Sequence, residues 1–149
     1  MKVLEGDILK TKKGIIVHQV NCQKKAGAGL ALKIRKHFNG WYRHFLTVEP
    51  ALGKVDFYSV RPGLTIASIY AQKYFGRDGK FTNYEALQNG LRFVRDRAGL
   101  HTDVYIPKGI GCGLAGGNWG IVEKLLAEEL PQAVIVDFKP PKINSYSCL

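Results

Sequence analysis

The stretch GIIVHQVNCQKKAGAGLALKIRKHF, residues 14–38, decides the fold class of this chain. Its first part, residues 14–20, is apolar and rich in β-branched side chains, which is typical of a buried strand. From residue 28 onward, apolar side chains recur at helical spacing: Leu30, Ala31, Ile34 and Phe38. A strand that enters a helix through a glycine-containing loop is the building unit of α/β domains.

The same alternation of strands and helices continues along the chain. Further strands are predicted at residues 2–5, 55–60, 64–71, 103–106 and 133–138, and further helices at 41–48, 82–98 and 119–130. The pattern favours an α/β domain with a mixed sheet between two helical layers. In such sheets ligands bind at the carboxyl ends of strands, so we expect a site in the loops after Val20, Ala71 and Ile106.

Local signals predict where two of these helices begin or end. Thr82 and Glu85 have the spacing of a capping box, with Thr82 as the capping residue, and Gly99 stops that helix. Asn118 is expected to cap the last helix. The residues that this helix should bury are Ile121, Val122, Leu125 and Leu126.

Composition excludes several classes of protein. With 149 residues, 46% hydrophobic and 23% charged, the chain has the size and composition of one folded domain. No apolar run approaches the roughly 20 residues of a membrane span, and the N-terminus lacks a secretory h-region. The three cysteines, at 22, 112 and 148, fit neither a disulfide framework nor a zinc site. We therefore expect a cytoplasmic protein with no membrane association, no metal and no cofactor.

The charge of the chain is strongly basic and uneven. Lysine and arginine number 22 against 12 acidic residues, a net charge of +10. No acidic residue occurs between Asp7 and Glu49, whereas nine basic residues do: Lys10, Lys12, Lys13, Lys24, Lys25, Lys33, Arg35, Lys36 and Arg43. We expect this third of the chain to form one positive face. Such a face suits nucleic acid, a nucleotide or phosphate, or only keeps the protein soluble.

Two glycine-containing loops run from a strand into a helix. In NCQKKAGAG, residues 21–29, the backbone can pass close to a ligand, and the helix start offers unpaired N–H groups to a phosphate. In IPKGIGCGLAGGNW, residues 106–119, five glycines suit a backbone cradle for a diphosphate. The alternatives are a tight turn with solvated lysines and a crowded strand–helix junction. Neither loop has the P-loop or the dinucleotide-binding pattern.

Six segments, in this order and spacing, resemble the macrodomain fold: GDI (6–8), IIVHQVNC (15–22), GAGLA (27–31), AQKY (71–74), TNYEAL (82–87) and IPKGIGCGLAGGNW (106–119). The branch most similar to them is the ADP-ribose 1″-phosphate phosphatase group of phages and bacteria, which is itself similar to the terminal-ADP-ribose protein glycohydrolases. The resemblance covers about residues 3–138. It implies a single three-layer α/β/α macrodomain over residues 1–149, with an irregular tail from 139 to 149, and ADP-ribose as ligand.

The resemblance also implies roles for individual residues. Asp7 would accept a hydrogen bond from the adenine amino group, beside the Ile8 amide, and Phe138 would pack against the adenine. The two phosphate loops would consist of Gly27, Ala28 and Gly29, and of Gly111, Cys112, Gly113, Leu114 and Ala115. Alternatively, Asp7 is a turn or cap residue and Phe138 belongs to the core.

His18 is the candidate catalytic residue, together with Asn21 beside the distal ribose. The phosphatase-type relatives carry a histidine at the place of His18, and a histidine can activate water or protonate a leaving oxygen. The alternative is a buried, hydrogen-bonded histidine. Further candidates for contacts with the ligand are Lys25, Gln72 and Asn118.

Two departures from the family pattern bear on the reaction. Ala115 occupies the position of an aspartate in the ester-hydrolysing branch, and Asn118 that of an aspartate in the phage-like pattern. These changes argue against removal of ADP-ribose from acidic side chains. The predicted reaction is hydrolysis of ADP-ribose 1″-phosphate to ADP-ribose and phosphate. The alternatives are an ADP-ribose reader without turnover, a glycohydrolase acting on modified protein or nucleic acid, and a nucleic-acid binder that uses the basic first third.

Overall fold

The computed structural model of the protein describes residues 1–76 and 81–140. Most of the predicted irregular tail, residues 141–149, lies outside the described residues, as do residues 77–80 of the loop before the third long helix. Within the described residues, no helix is both long and apolar enough to cross a membrane.

Six strands form one mixed sheet. They are β1 (Lys2–Gly6), β2 (Gly14–Asn21), β3 (Val55–Arg61), β4 (Leu64–Gln72), β5 (Val104–Pro107) and β6 (Val134–Phe138). Their order across the sheet is β1-β6-β5-β2-β4-β3. All neighbours are parallel except β3 and β4, which form an antiparallel hairpin. The carboxyl ends of β2, β4 and β5 therefore lie along one edge of the sheet.

Four helices cover the two faces of this sheet: α1 (Gly29–His37), α2 (Asn39–Phe45), α3 (Tyr84–Ala98) and α4 (Trp119–Glu129). Alternate residues of β2 enter two separate cores. Ile15 and Val17 pack with α3 and α4, whereas Ile16 and Val20 pack with α1 and α2. Since β2 is covered on both faces, its sequence is an apolar run rather than a strict alternation. The expected three-layer α/β/α architecture is confirmed.

The predicted capping box at Thr82 is wrong by one residue. Asn83 caps α3, because its side-chain oxygen accepts a hydrogen bond from the Ala86 N–H at 2.9 Å. The Thr82 hydroxyl instead donates to the carbonyl of Gly111, 29 residues further along the chain. The competing partner belongs to another loop, so local spacing could not reveal it. Gly99 ends α3 with a φ of +61°, as predicted.

The prediction that Ile121 is buried is also wrong. Its side chain is 45% exposed, although Asn118 caps α4 as expected. The buried stripe of α4 passes through Val122, Leu126 and Glu129. Ile121 precedes Val122 by one residue, or about 100° around the helix, which turns it away from the sheet.

Candidate ligand-binding site

A cleft of about 830 Å³ lies at the carboxyl ends of β2, β4 and β5. Its walls come from the loop that follows β2, from the residues after β4, and from the loop that follows β5. These are the three loops to which the order of strands in the sequence pointed. The structure therefore brings both glycine-containing loops to one cavity.

The charge that lines this cleft is entirely positive among the described residues. Lys24, Lys25, Arg35 and Lys108 contribute to the lining, and no aspartate or glutamate of the described ranges does. Lys108 has an acidic neighbour outside the lining, since its ammonium lies 3.7 Å from Asp137. A concave site lined by one sign of charge attracts ligands of the opposite sign. The cleft thus favours an anion.

The nine basic residues of the first third do not all line one cavity. Lys24, Lys25 and Arg35 line the main cleft, whereas three lysines at 10, 12 and 13 line a second depression of about 410 Å³ together with acidic residues. A single positive face built from this third stays a prediction. Binding of nucleic acid through this third stays a prediction.

The side chain of Asn21 closes the first loop. Its Oδ1 accepts a hydrogen bond from the Lys25 N–H at 3.0 Å, and its Nδ2 donates to the Lys25 carbonyl at 2.9 Å. Between them, Lys24 adopts a φ of +63°, which is uncommon outside glycine. Asn21 therefore holds a bend in the backbone, and its predicted contact with a ribose stays a prediction.

The two lysines of this loop have different surroundings. The Lys24 ammonium donates to the carbonyl of Val48 and lies 4.8 Å from the centroid of the Phe45 ring. Burial lowers the pKa of Lys24. Lys25 is exposed and forms no side-chain ion pair within the described ranges. Of the two, Lys25 is the better placed to meet a ligand in the cleft.

Helix α1 begins at the cleft without a side-chain cap. Its N-cap residue is Ala28, which has no side-chain acceptor, whereas asparagines cap α3 and α4. The first N–H groups of α1 are thus left for another acceptor, and the positive end of the helix dipole adds to the attraction for an anion. A Cβ atom added at Gly27 would meet no heavy atom within 4 Å. The absence of a side chain there leaves the approach to α1 open.

The glycines of the second loop serve two different purposes. At Gly111, with a φ of +73°, a Cβ atom would lie 2.7 Å from the Gln19 side-chain oxygen, and at Gly117 it would lie 2.4 Å from the Gly111 carbonyl oxygen. These two positions fit the alternative of a crowded strand–helix junction. At Gly113 a Cβ atom would meet nothing within 4 Å. Only Gly113 of these three therefore leaves space for a ligand.

Sequence reasoning missed the polar contacts that support this loop. Gln19 Nε2 donates to the Thr82 hydroxyl at 3.0 Å, and that hydroxyl donates to the Gly111 carbonyl at 2.5 Å. Gln19 lines the cleft, and its Oε1 is buried without a hydrogen-bond partner in the described structure. The one available signal was Gln19, a polar residue next to His18 in a mostly apolar strand.

His18 lies at the base of the cleft and is 1% exposed. Its Nε2 is 2.6 Å from the Ser68 hydroxyl, which also accepts a hydrogen bond from the Trp41 indole at 3.1 Å. Burial lowers the pKa of His18 to about 3, so the ring is neutral at pH 7. This environment matches the alternative of a buried, hydrogen-bonded histidine. Its Nδ1, however, is buried without a partner among the described residues, and the catalytic role stays a prediction.

The residues assigned to the adenine lie beside the main cleft rather than in its lining. Asp7 accepts a hydrogen bond from the Leu9 N–H at 3.0 Å and caps a short 3-10 helix, Ile8–Lys10. Asp7 and the buried Ile8 line the second depression. Phe138 is 49% exposed, with the Lys33 ammonium 4.2 Å from its ring centroid. The alternative of a core position for Phe138 is therefore wrong.

The remaining candidates divide between the cleft and its surroundings. Gln72 lines the cleft and donates to the Tyr74 carbonyl at 2.7 Å, and Leu114 and Ala115 also line it. Cys112 does not, because its side chain packs against the core beneath α3 and α4, where burial raises its pKa. Asn118 caps α4 and lies outside the lining. Within residues 1–76 and 81–140, no three metal-binding side chains converge.

Comparison with solved structures identifies the fold. A macrodomain protein from Streptomyces coelicolor superposes with a TM-score of 0.68 and 26% identity, over 94% of this chain and 99% of that one. The chain has the macrodomain fold. The resemblance read from six short segments is thus confirmed at the level of the fold, and the phosphatase-like branch stays a prediction.

Two further solved structures are similar to this chain. A protein of unknown function from Bacteroides thetaiotaomicron has a TM-score of 0.78 and 29% identity, over 93% of this chain and 97% of that one. Thermosipho africanus DarTG in complex with ADP-ribose has a TM-score of 0.74 and 20% identity, over 97% of this chain and 44% of that one. At that identity the second likeness concerns the fold alone. No protein-family model matches the chain, and no curated protein matches it significantly.

Proposed function

We propose that this macrodomain binds ADP-ribose and holds its diphosphate between the two glycine-containing loops. The observation that carries the proposal is a cleft with four cationic side chains and no carboxylate among the described lining residues. A structural neighbour, the Thermosipho africanus protein, was solved in complex with ADP-ribose. The cavity in this chain lies at the carboxyl ends of β2, β4 and β5.

The diphosphate would be held mainly by backbone groups. The uncapped N–H groups at the start of α1 face one side of the cleft, and the loop around Gly113 forms the other. Hydrogen bonds to a charged group contribute about 1.5–3 kcal/mol each. Lys25 would add attraction from the rim. Gly27 and Gly113 would let the phosphates approach the backbone, because neither position has a side chain to fill the space.

The order of the strands orients the ligand. Strands β1 and β6 lie on one side of β5, and β2 and β4 lie on the other. The adenine would extend toward Asp7 and Phe138, at the carboxyl ends of β1 and β6. The distal ribose would lie toward Asn21 and Gln72, at the ends of β2 and β4.

Calorimetric titration with ADP-ribose, ADP and inorganic phosphate tests this proposal. We expect ADP-ribose to bind one site per chain, ADP more weakly, and phosphate weakest. Lys25→Gln should weaken ADP-ribose about fivefold, the effect of ~1 kcal/mol, whereas Lys36→Gln, which removes the same charge outside the lining, should change it less than twofold. Equal binding of ADP-ribose and inorganic phosphate would overturn the proposal.

A second candidate function is hydrolysis of ADP-ribose 1″-phosphate, and the unpartnered Nδ1 of His18 favours it. Water would attack phosphorus, the bond from phosphorus to the oxygen on C1″ would break, and one proton of the water would pass to that leaving oxygen. The products would be ADP-ribose, with a hydroxyl on C1″, and inorganic phosphate. The Trp41 indole can only donate, so Ser68 is free to pass its own hydrogen to His18 Nε2. The ring proton then stays on Nδ1, the nitrogen that the described structure leaves without a partner.

Release of phosphate separates turnover from binding alone. If His18 takes part, His18→Asn should reduce the rate at least about tenfold with little change in the affinity for ADP-ribose. If His18 is purely structural, His18→Asn should instead lower the free energy of unfolding and leave the rate per folded molecule unchanged. If the wild-type protein binds ADP-ribose 1″-phosphate but releases no phosphate, it is a reader that binds without turnover.

A further inference from the structure

The cleft continues past the first loop into a lobe between α1 and α2. We call it the distal lobe and define it by the lining residues Lys24, Ala31, Arg35, Tyr42 and Leu46. Helix α1 packs against β2 and α2 packs against β3. On α1, Lys33 lies over Phe138 of β6, whereas Arg35, two residues or about 200° further around the helix, lies over Tyr42 of α2. The distal lobe therefore lies on the side of α1 turned away from Phe138, where the adenine is proposed to bind. A group attached to the distal ribose would point into it.

Arg35 is held in this lobe by an aromatic ring. Its guanidinium carbon lies 3.8 Å from the centroid of the Tyr42 ring. A guanidinium stacked on an aromatic face keeps its N–H donors available around its edge. The stacking restricts the side chain without using its hydrogen-bonding groups.

The charge of Arg35 is not neutralised within the described structure. No carboxylate of residues 1–76 or 81–140 lies within 4 Å of its guanidinium, and no described hydrogen bond uses it. Lys24, the other cation of the lobe, already donates to the Val48 carbonyl. Of the two cations in the distal lobe, Arg35 is thus the one whose N–H groups have no acceptor among the described residues.

We propose that Arg35 and Tyr42 form a subsite for a phosphate monoester on the ribose distal to the adenine. The planar fork of arginine matches two phosphate oxygens, which gives a stronger and more directional contact than a lysine ammonium. The subsite rests on the proposed binding of ADP-ribose and deepens it. It makes Arg35 the residue that distinguishes ADP-ribose 1″-phosphate from ADP-ribose.

The test compares the affinities of both ligands in matched variants. Arg35→Gln should weaken ADP-ribose 1″-phosphate at least about tenfold, the loss of one charge-assisted contact, and ADP-ribose less than about threefold. Lys36→Gln removes the same charge from the next residue of α1, outside the cleft lining, and should leave the ratio of the two affinities unchanged. Where the phosphate ester is turned over, KM replaces the dissociation constant.

Further variants separate the possible failures. Arg35→Lys keeps the positive charge but lacks the planar guanidinium. It should restore less than half of the selectivity that Arg35→Gln loses, when selectivity is expressed as the logarithm of the ratio of the two affinities. An unchanged ratio in Arg35→Gln, with normal ADP-ribose binding, would overturn the subsite alone. Equal weakening of both ligands would assign Arg35 to the diphosphate and also overturn it. Failure of the wild-type protein to bind either ligand would overturn the proposed function itself.

Discussion

Substitution of Gly27 by valine separates binding from folding at the first loop. A Cβ atom at this position would meet no heavy atom within 4 Å, and Gly27 is not among the glycines with positive φ. The folded chain therefore accepts a Cβ atom at this position, and Gly27 is exposed, so the methyl groups of valine can extend away from the protein. Replacing a glycine where the backbone is compatible tends to stabilise a protein by about 0.4–1 kcal/mol, because the unfolded chain loses freedom. The free energy of unfolding should not fall.

The affinity for ADP-ribose should fall sharply in the same variant. The branched side chain would occupy the space between the cleft and the uncapped N–H groups of α1. Loss of two charge-assisted hydrogen bonds, at the lower limit of ~1.5 kcal/mol each, corresponds to about a hundredfold increase in the dissociation constant.

Calorimetric titration measures the affinity, and urea denaturation measures the stability. Gly117→Ala is the opposite control, because its Cβ atom would lie 2.4 Å from the Gly111 carbonyl oxygen, and it should lower the stability. Wild-type affinity in Gly27→Val would refute the assignment of the first loop to the diphosphate. A loss of stability in that variant would refute the argument from open space.

Three further predictions concern the scaffold of the site. Gly90→Ala should lower the free energy of unfolding by about 1–3 kcal/mol, because the new Cβ atom would lie 2.3 Å from Ile69 Cγ2. Alanine normally favours a helix over glycine, so a gain in stability in urea denaturation would contradict this prediction. In the folded chain the pKa of His18 is about 3, below its ordinary value of 6.5, so between pH 6.5 and 3 the unfolded chain binds a proton that the folded chain does not. The free energy of unfolding of the wild type, relative to that of His18→Asn, should therefore decline by about 1.4 kcal/mol for each pH unit below 6.5. Parallel pH profiles of the two proteins would show that folding does not protect His18 from protonation. Asn21→Ala removes both hydrogen bonds with the Lys25 backbone and should lower the free energy of unfolding by about 1–2 kcal/mol. It should also weaken the binding of ADP-ribose more than the binding of inorganic phosphate. Unchanged affinity for ADP-ribose would show that binding does not depend on the bend of the first loop.

The fold could be predicted because its signals are local. The apolar run of β2, the helical spacing after Gly29 and the Asn118 cap depend on neighbouring residues alone, and the structure has each of them. The start of α3 could not be predicted in the same way. Thr82 is drawn to the Gly111 carbonyl, a contact that exists only once two distant loops meet.

The candidate site was predictable as a set of loops but less so as a set of side chains. Lys24 and Lys25 are adjacent lysines that the sequence does not distinguish, yet the ammonium of Lys24 donates to the Val48 carbonyl. The stacking of Arg35 on Tyr42 crosses from one helix to the next and has no local signature. Burial of His18, which decides its protonation at neutral pH, depends on the packing of Trp41 from α2.

A crystal structure of the protein with ADP-ribose tests the central claim most directly. We expect the diphosphate between Gly27 and Gly113, the adenine toward Phe138, and C1″ of the distal ribose facing the distal lobe that contains Arg35. A ligand bound outside the cleft, or bound in the reverse direction with its adenine on Tyr42, would contradict it.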